Sequence, residues 1–270
     1  ANKPYVKKNP KVLHASLEFV YGVGGLKAAA TGLIASLNKH EGQDVAIITP
    51  YWDFLDDKNE YKNKTIKLGS VNHIYKGKVV TSDVYGCLVE SPPGSGNEII
   101  QYLVRPEKKS PVGMIFDIRE QGNVYKSLEH SEPQNRVEYY NGAIASFIKC
   151  KNDFKPEFDL YHTHGWQTGL SQSLIKEFEF VRTRLDTKEV NKTPTINHTI
   201  HMLMAGDVGR MDTDETFKSV GLDRGGSAVE QQKETLLSAD TVNLVAKGMK
   251  TWVLRGEPYS CGYAEMFAHL

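Results

Sequence analysis

The forty residues from Lys11 to Pro50 constrain the fold more than any other part of the chain. KVLHAS reads as a short strand and is followed by the turn EFVYGVGGL. After it, Leu26, Ala29, Ala30, Leu33, Ile34 and Leu37 repeat at helical spacing, and polar Asn38, Lys39 and His40 close the run. DVAIITP, residues 44–50, is then a continuous apolar stretch of the kind that parallel sheets bury on both faces. Strand, helix and buried strand make a βαβ unit, whose crossover is right-handed. A chain that begins this way is committed to a sheet with helices packed against it.

The remainder keeps the alternation. Residues 1–10 form a polar tail, and 11–270 read as one domain. Short alternating runs between 53 and 112, with the turn-rich SPPGSGN, predict antiparallel hairpins inserted after the second strand. MIFDI (114–118) predicts a return to the core sheet. Arg136 to Lys151 predicts a helix, FDLYH a strand, Gln167 to Phe180 a helix and TPTINHTIH a strand. A polar segment over about 210–232, a helix from Glu234 to Lys250, the strand TWVLR and a helical start at Tyr263 complete the pattern. The expected architecture is α/β: a single Rossmann-like, doubly wound domain with a mainly parallel core sheet and the first strand central.

Composition excludes several functions. Lysine plus arginine and aspartate plus glutamate number 33 each, so no basic excess points to nucleic acid or an anionic membrane. Three widely spaced cysteines, Cys87, Cys150 and Cys261, fit free thiols in a reducing compartment. With no apolar leader and no apolar run of about 18 residues, the chain reads as cytoplasmic.

In doubly wound sheets, ligands bind beyond the carboxyl ends of the strands, where strand order reverses. Glu18 and the GVGG turn fall there, as do Asp117 and Arg119, the segment YHTHGW and the segment NHTIHMLMAG. Four histidines, His162, His164, His198 and His201, are expected at this edge. Their spacing matches no standard zinc pattern, so no metal is expected. The GVGG turn alone fits a phosphate loop or a close helix-to-strand packing turn equally well.

The order of these pieces resembles the N-terminal, acceptor-side domain of the starch and glycogen synthases, retaining glucosyltransferases of GT-B architecture. SLEFVYGVGGL is similar to their S-x-E-…-K-x-G-G-L, TPYW to a strand ending in P-x-Y, and FDIREQGNVY and QNRVEYYNGA to F-D-x-x-x-…-Y and N-x-x-R-F. HTHGWQTGL is similar to H-x-H-D-W-Q-T-G, TIHMLMAGD to T-x-H-N-x-x-x-Q-G, and SCGYAEMFAHL to V-S-P-x-Y-A-x-E-I. Taken in order, these motifs cover nearly the whole chain from Lys11.

The resemblance implies site residues and also departures. It makes His164 and Glu18 catalytic, with His164 hydrogen-bonding the transferred sugar and Glu18 orienting groups in the cleft. It assigns Gly24, Gly25, Asp117, Trp166 and His201 to substrate and donor binding. No cofactor is implied, the nucleotide sugar (ADP-glucose or UDP-glucose) being a substrate, and the acceptor is an α-glucan. Against the family pattern, Gly22 replaces the lysine that meets the donor diphosphate, in a turn two residues shorter. Ala28 and Gly165 replace aspartates, and Met202 replaces an asparagine. The second GT-B domain, which supplies most donor contacts, would begin where this chain stops. Two readings follow: half of a glucosyltransferase that needs a second domain, or a diverged, inactive domain that binds glucan or a protein. By itself the chain is expected to be inactive, with only weak donor binding that lysine at position 22 should tighten.

Overall fold

The computed structural model describes residues 10–22, 25–41, 43–110, 112–128, 132–201, 213–222 and 231–244. β1 (Lys11–Ala15) leads through α1 (Gly25–Glu41) to β2 (Asp44–Pro50), the βαβ unit expected from the sequence. β3 (Ile66–Tyr75), β4 (Lys78–Glu90) and β5 (Glu98–Pro106) follow. α2 (Pro133–Lys149), β6 (Leu160–His164), α3 (Leu170–Lys176) and α4 (Phe178–Arg182) come next. β7 (Thr195–Ile200), α5 (Thr213–Ser219), α6 (Gln231–Ser238) and β8 (Thr241–Leu244) complete the described elements.

The eight strands among the described residues form one sheet in the order β3-β4-β5-β2-β1-β6-β7-β8. From β5 to β8 every pairing is parallel, and β1 lies between β2 and β6. The antiparallel part is the ribbon β3–β4–β5. Lys76 and Gly77, both at positive φ (48° and 71°), make the two-residue turn between β3 and β4, whose twist matches the flanking strands. α2 packs against β3 and α3, and every residue from Arg136 to Lys149 is buried, as a helix covered on all sides must be. Tyr140 is fully buried there, and its hydroxyl reaches the carbonyls of Ser16 (3.0 Å) and Ile48 (2.6 Å) at the ends of β1 and β2.

Four elements differ from the sequence reading. MIFDI is not a strand. Its buried Ile115, Phe116 and Ile118 belong to the core, but successive turns coil the backbone (Ile115 N to Val112 O at 3.0 Å, Asp117 N to Met114 O at 3.0 Å). Its place beside β2 is taken by β5, so the last strand of the expected insertion is itself a core strand. The helix expected over 167–180 divides into a 3-10 turn at Trp166–Thr168, α3 and α4. The helix expected from Glu234 to Lys250 ends at Ser238, because Asp240 pairs with the β7 edge through its backbone N–H (2.8 Å to Ile196 O) and its carboxylate (2.7 Å from Ile196 N). β8 starts immediately afterwards. TWVLR and the helical start at Tyr263 lie outside the described residues.

Candidate active site

The chain winds from β1 outward through β2 to β5, then returns to lay β6, β7 and β8 on the other side of β1. The order therefore reverses between β1 and β6. Being parallel and adjacent, these strands deliver Glu18 and His164 to the same edge, the one where such sheets bind ligands.

The turn after β1 is fastened on several sides. Ser16 Oγ accepts the Glu18 N–H (3.2 Å), Trp52 Nε1 donates to Leu17 O (3.2 Å), and Gln121 Nε2 donates to Gly22 O. Phe19 and Val20 are buried. Glu18 is buried too, and its carboxylate hydrogen-bonds Tyr125. Burial above all, and then this carboxylate, raise the phenol above its ordinary range. A Cβ at Gly22 would stand 2.3 Å from Glu18 Oε2 and 2.8 Å from Glu18 Cβ. Thus the space a lysine side chain would leave through is filled by a buried carboxylate. Gly25 is the opposite case: it is exposed at the start of α1, and nothing lies within 4 Å of where its Cβ would be. The first turn of α1 carries no acidic residue, so its positive dipole end is not neutralised from within the helix. Gly24 lies outside the described residues. Glycine is thus a packing requirement at 22 and an open approach at 25.

Strand alternation sorts the histidines. His162 and His164 share a face of β6, and His14, on β1, pairs in register with His162. His14 Nδ1 lies 2.9 Å from His164 Nε2, and His164 Nδ1 lies 3.2 Å from His201 Nε2. Both nitrogens of His164 are engaged by other imidazoles. His162 Nε2 meets Thr199 Oγ1 at 2.7 Å. His198 does not join them. It pairs in register with Thr163, on the opposite face of the sheet, and its Nδ1 sits 2.7 Å from Thr163 Oγ1. The four histidines expected together are therefore three, with His14 as an additional member that the sequence did not single out. Burial holds all of them neutral at pH 7: it lowers His14 and His164 well below their ordinary value, His162 to about 4 and His201 less steeply.

Gly165 follows with φ 74° and ψ 163°, a conformation open to glycine alone. A Cβ there would also meet Gln167 Oε1 at 2.5 Å, so an aspartate at this position would not fit this backbone. Trp166 is half-buried against the core. Asp117 lies 3.7 Å from Arg119 Nε and shares a hydrogen bond with Asp53, whose carboxyl is pushed up to about 6, chiefly by burial and then by Asp117. A groove of about 570 Å³ beside the histidines is lined by His162, His164, His201 and apolar residues of α1, including Leu33 and Leu37. A groove of about 620 Å³ near the β3–β4 turn holds Lys76, Glu138 and Lys218 but none of the residues at the β1/β6 reversal.

The fold is a Rossmann-like α/β domain that matches one domain of the GT-B glycosyltransferase architecture. The structure superposes with a TM-score of 0.71, at 19% identity, on the catalytic domain of starch synthase IV from Arabidopsis thaliana bound to ADP and acarbose. The starch synthase catalytic domain family matches residues 11–268, and the chain belongs to that family. The match to the Arabidopsis structure covers 97% of this chain and 50% of that one, so this chain spans half its length. A similarity to alpha,alpha-trehalose 6-phosphate synthase from Burkholderia multivorans (TM-score 0.36, 10% identity, 92% of this chain and 43% of that one) carries no argument. The comparison with curated proteins gave no match.

Proposed function

We propose that this chain is the acceptor-side half of a glucosyltransferase that, completed by a second GT-B domain, moves glucose from ADP-glucose or UDP-glucose to an α-glucan. The observation that carries the reading is the match of the starch synthase catalytic domain family across residues 11–268, which favours a transferase over a non-catalytic binding domain. The ADP and acarbose held by the Arabidopsis enzyme point to the same ligand classes, a nucleotide and a glucan-like sugar.

In this reading Gly24, Gly25 and the first turn of α1 receive the donor phosphates through backbone N–H groups and the helix dipole. The dipole contributes about 0.3–1 kcal/mol, less than the roughly 1.5–3 kcal/mol of a charge-assisted contact, so the second domain must bring a cation. His164 contacts the transferred sugar by giving up its 3.2 Å link to the half-buried His201. In the same reading Trp166, His201 and Asp117 bind substrate or donor, Asp117 from a separate groove beside Arg119, and Glu18 holds the turn. No described helix is long and apolar enough to cross a membrane, and free Cys87 and Cys150 fit a cytoplasmic location. Incorporation of labelled glucose into glycogen by the full-length parent protein tests this. Incorporation that falls at least a hundredfold in His164→Ala is expected, and its absence from the full-length protein overturns the reading.

A further inference from the structure

We propose that His14 is a positioning residue for His164: its Nδ1–H donates to His164 Nε2 and holds the His164 proton on Nδ1, the nitrogen that meets the transferred sugar. The placement of the protons stands on the geometry of the three rings. Its part in glucose transfer rests on the transferase reading above.

The geometry begins with the strands. Parallel register sets His14 opposite His162, and His164 follows two residues along on the same face of β6. The His14 and His164 rings are nearly parallel, with centroids 5.2 Å apart and an interplanar angle of 23°. Their facing nitrogens, His14 Nδ1 and His164 Nε2, lie 2.9 Å apart, and His164 Nδ1 lies 3.2 Å from His201 Nε2. His164 and His201 line the groove beside β6, whereas His14, fully buried, is not among the described residues that line it. It therefore reaches a bound sugar only through His164.

Burial fixes the direction of the chain. It holds both rings neutral, so each carries a single N–H, and only one of the two facing nitrogens is the donor. His14 Nε2 is buried with no hydrogen-bond partner among the described residues. If His164 donated, the His14 proton would sit on that nitrogen, a buried N–H with nothing to accept it. With the proton on Nδ1 the N–H is satisfied and Nε2 keeps only a bare lone pair, the less costly of the two states. His164, accepting at Nε2, then carries its proton on Nδ1 and donates it outward to His201 Nε2. When the sugar takes the place of His201, the same N–H donates to a hydroxyl oxygen. His14 thereby makes His164 a donor, and the site selects a sugar that presents an oxygen there.

Long-range proton–nitrogen correlation spectra of the histidine rings in this chain, assigned with His164→Ala, read the tautomers directly. His164 should be protonated at Nδ1 in the wild type. His14→Phe keeps a ring but has no donor, and should move a substantial share of that proton to Nε2. His14→Asn, whose side-chain amide can donate from the same place, should restore Nδ1. In the full-length parent protein, His14→Phe should lower kcat at least about tenfold with KM for glycogen within about threefold, and His14→Asn should recover most of that loss. A wild-type His164 protonated at Nε2 overturns the proposal, as does a His164 tautomer or a kcat indifferent to His14→Phe. The expected tautomers in a wild-type parent that transfers no glucose would sink the transferase reading and leave the proton placement standing. If His14→Phe fails to fold, the wild-type spectrum and His14→Asn decide.

Discussion

Gly22 backs onto Glu18 so closely that a Cβ at position 22 would stand 2.3 Å from Glu18 Oε2. Restoring the family's lysine is therefore not a simple addition of charge. Any side chain at 22 must displace a buried carboxylate that hydrogen-bonds Tyr125, in a turn whose Gly22 carbonyl is held by Gln121. Gly22→Lys should cost about 1–3 kcal/mol of stability, as overpacking does, and leave ADP-glucose binding no tighter than wild type. Urea denaturation and titration calorimetry on the two proteins check this. A stable Gly22→Lys that binds tenfold more tightly would show that Glu18 yields and that the turn still reads phosphate.

Asp53 and Asp117 share a hydrogen bond, and the Asp53 carboxyl is raised from 3.8 to about 6. An acid raised in the folded state leaves stability intact below pH 4 and removes it as pH rises through the interval from about 4 to 6. Asp53 is half exposed and Arg105 lies near, so the loss at pH 7 is discounted to about 1 kcal/mol. Asp53→Asn should therefore be more stable than wild type by about that amount at pH 7 and equal to it at pH 4. An equal gain at both pH values would mean that packing, not ionisation, is responsible.

Tyr140 ties the carboxyl ends of β1 and β2 together through two backbone carbonyls. Tyr140→Phe keeps the ring but strands Ser16 O in a buried site, and should cost about 1–3 kcal/mol. The midpoint of denaturation reports it. A midpoint within experimental error of wild type would mean that water or a shift of Ser16 replaces the hydroxyl.

Gly169, between the 3-10 turn and α3, faces α6: its Cβ would come within 1.9 Å of Thr235 Oγ1 and 2.6 Å of Thr235 Cβ. Gly169→Ala should push α6 away and destabilise the fold by about 1–3 kcal/mol. Adding Thr235→Ala should recover only part, since the Cβ collision remains. Hydrogen exchange should localise the loss to α6 and β8, and uniform loss across the sheet would contradict the docking role.

The sequence by itself determined the βαβ start, the doubly wound class and the edge where chemistry-bearing residues gather, because period-2 and period-3.6 patterns are local. It also carried the family, through a series of short motifs in order. It could not determine which side of the sheet each histidine faces. His198 and His201 are three apart and looked equivalent, yet register with β6 puts His198 against Thr163 and leaves His201 beside His164. His14 stood 148 residues from His162, and only the parallel pairing of β1 with β6 makes them neighbours. MIFDI had the composition of a core strand, but β5 had already filled the place beside β2, so those side chains enter the core from turns. The same holds for Gly22. A missing lysine reads in sequence as lost charge, and only tertiary packing reveals that Glu18 occupies the space. Side-chain contacts made across strands depend on register and strand order, which no local pattern encodes.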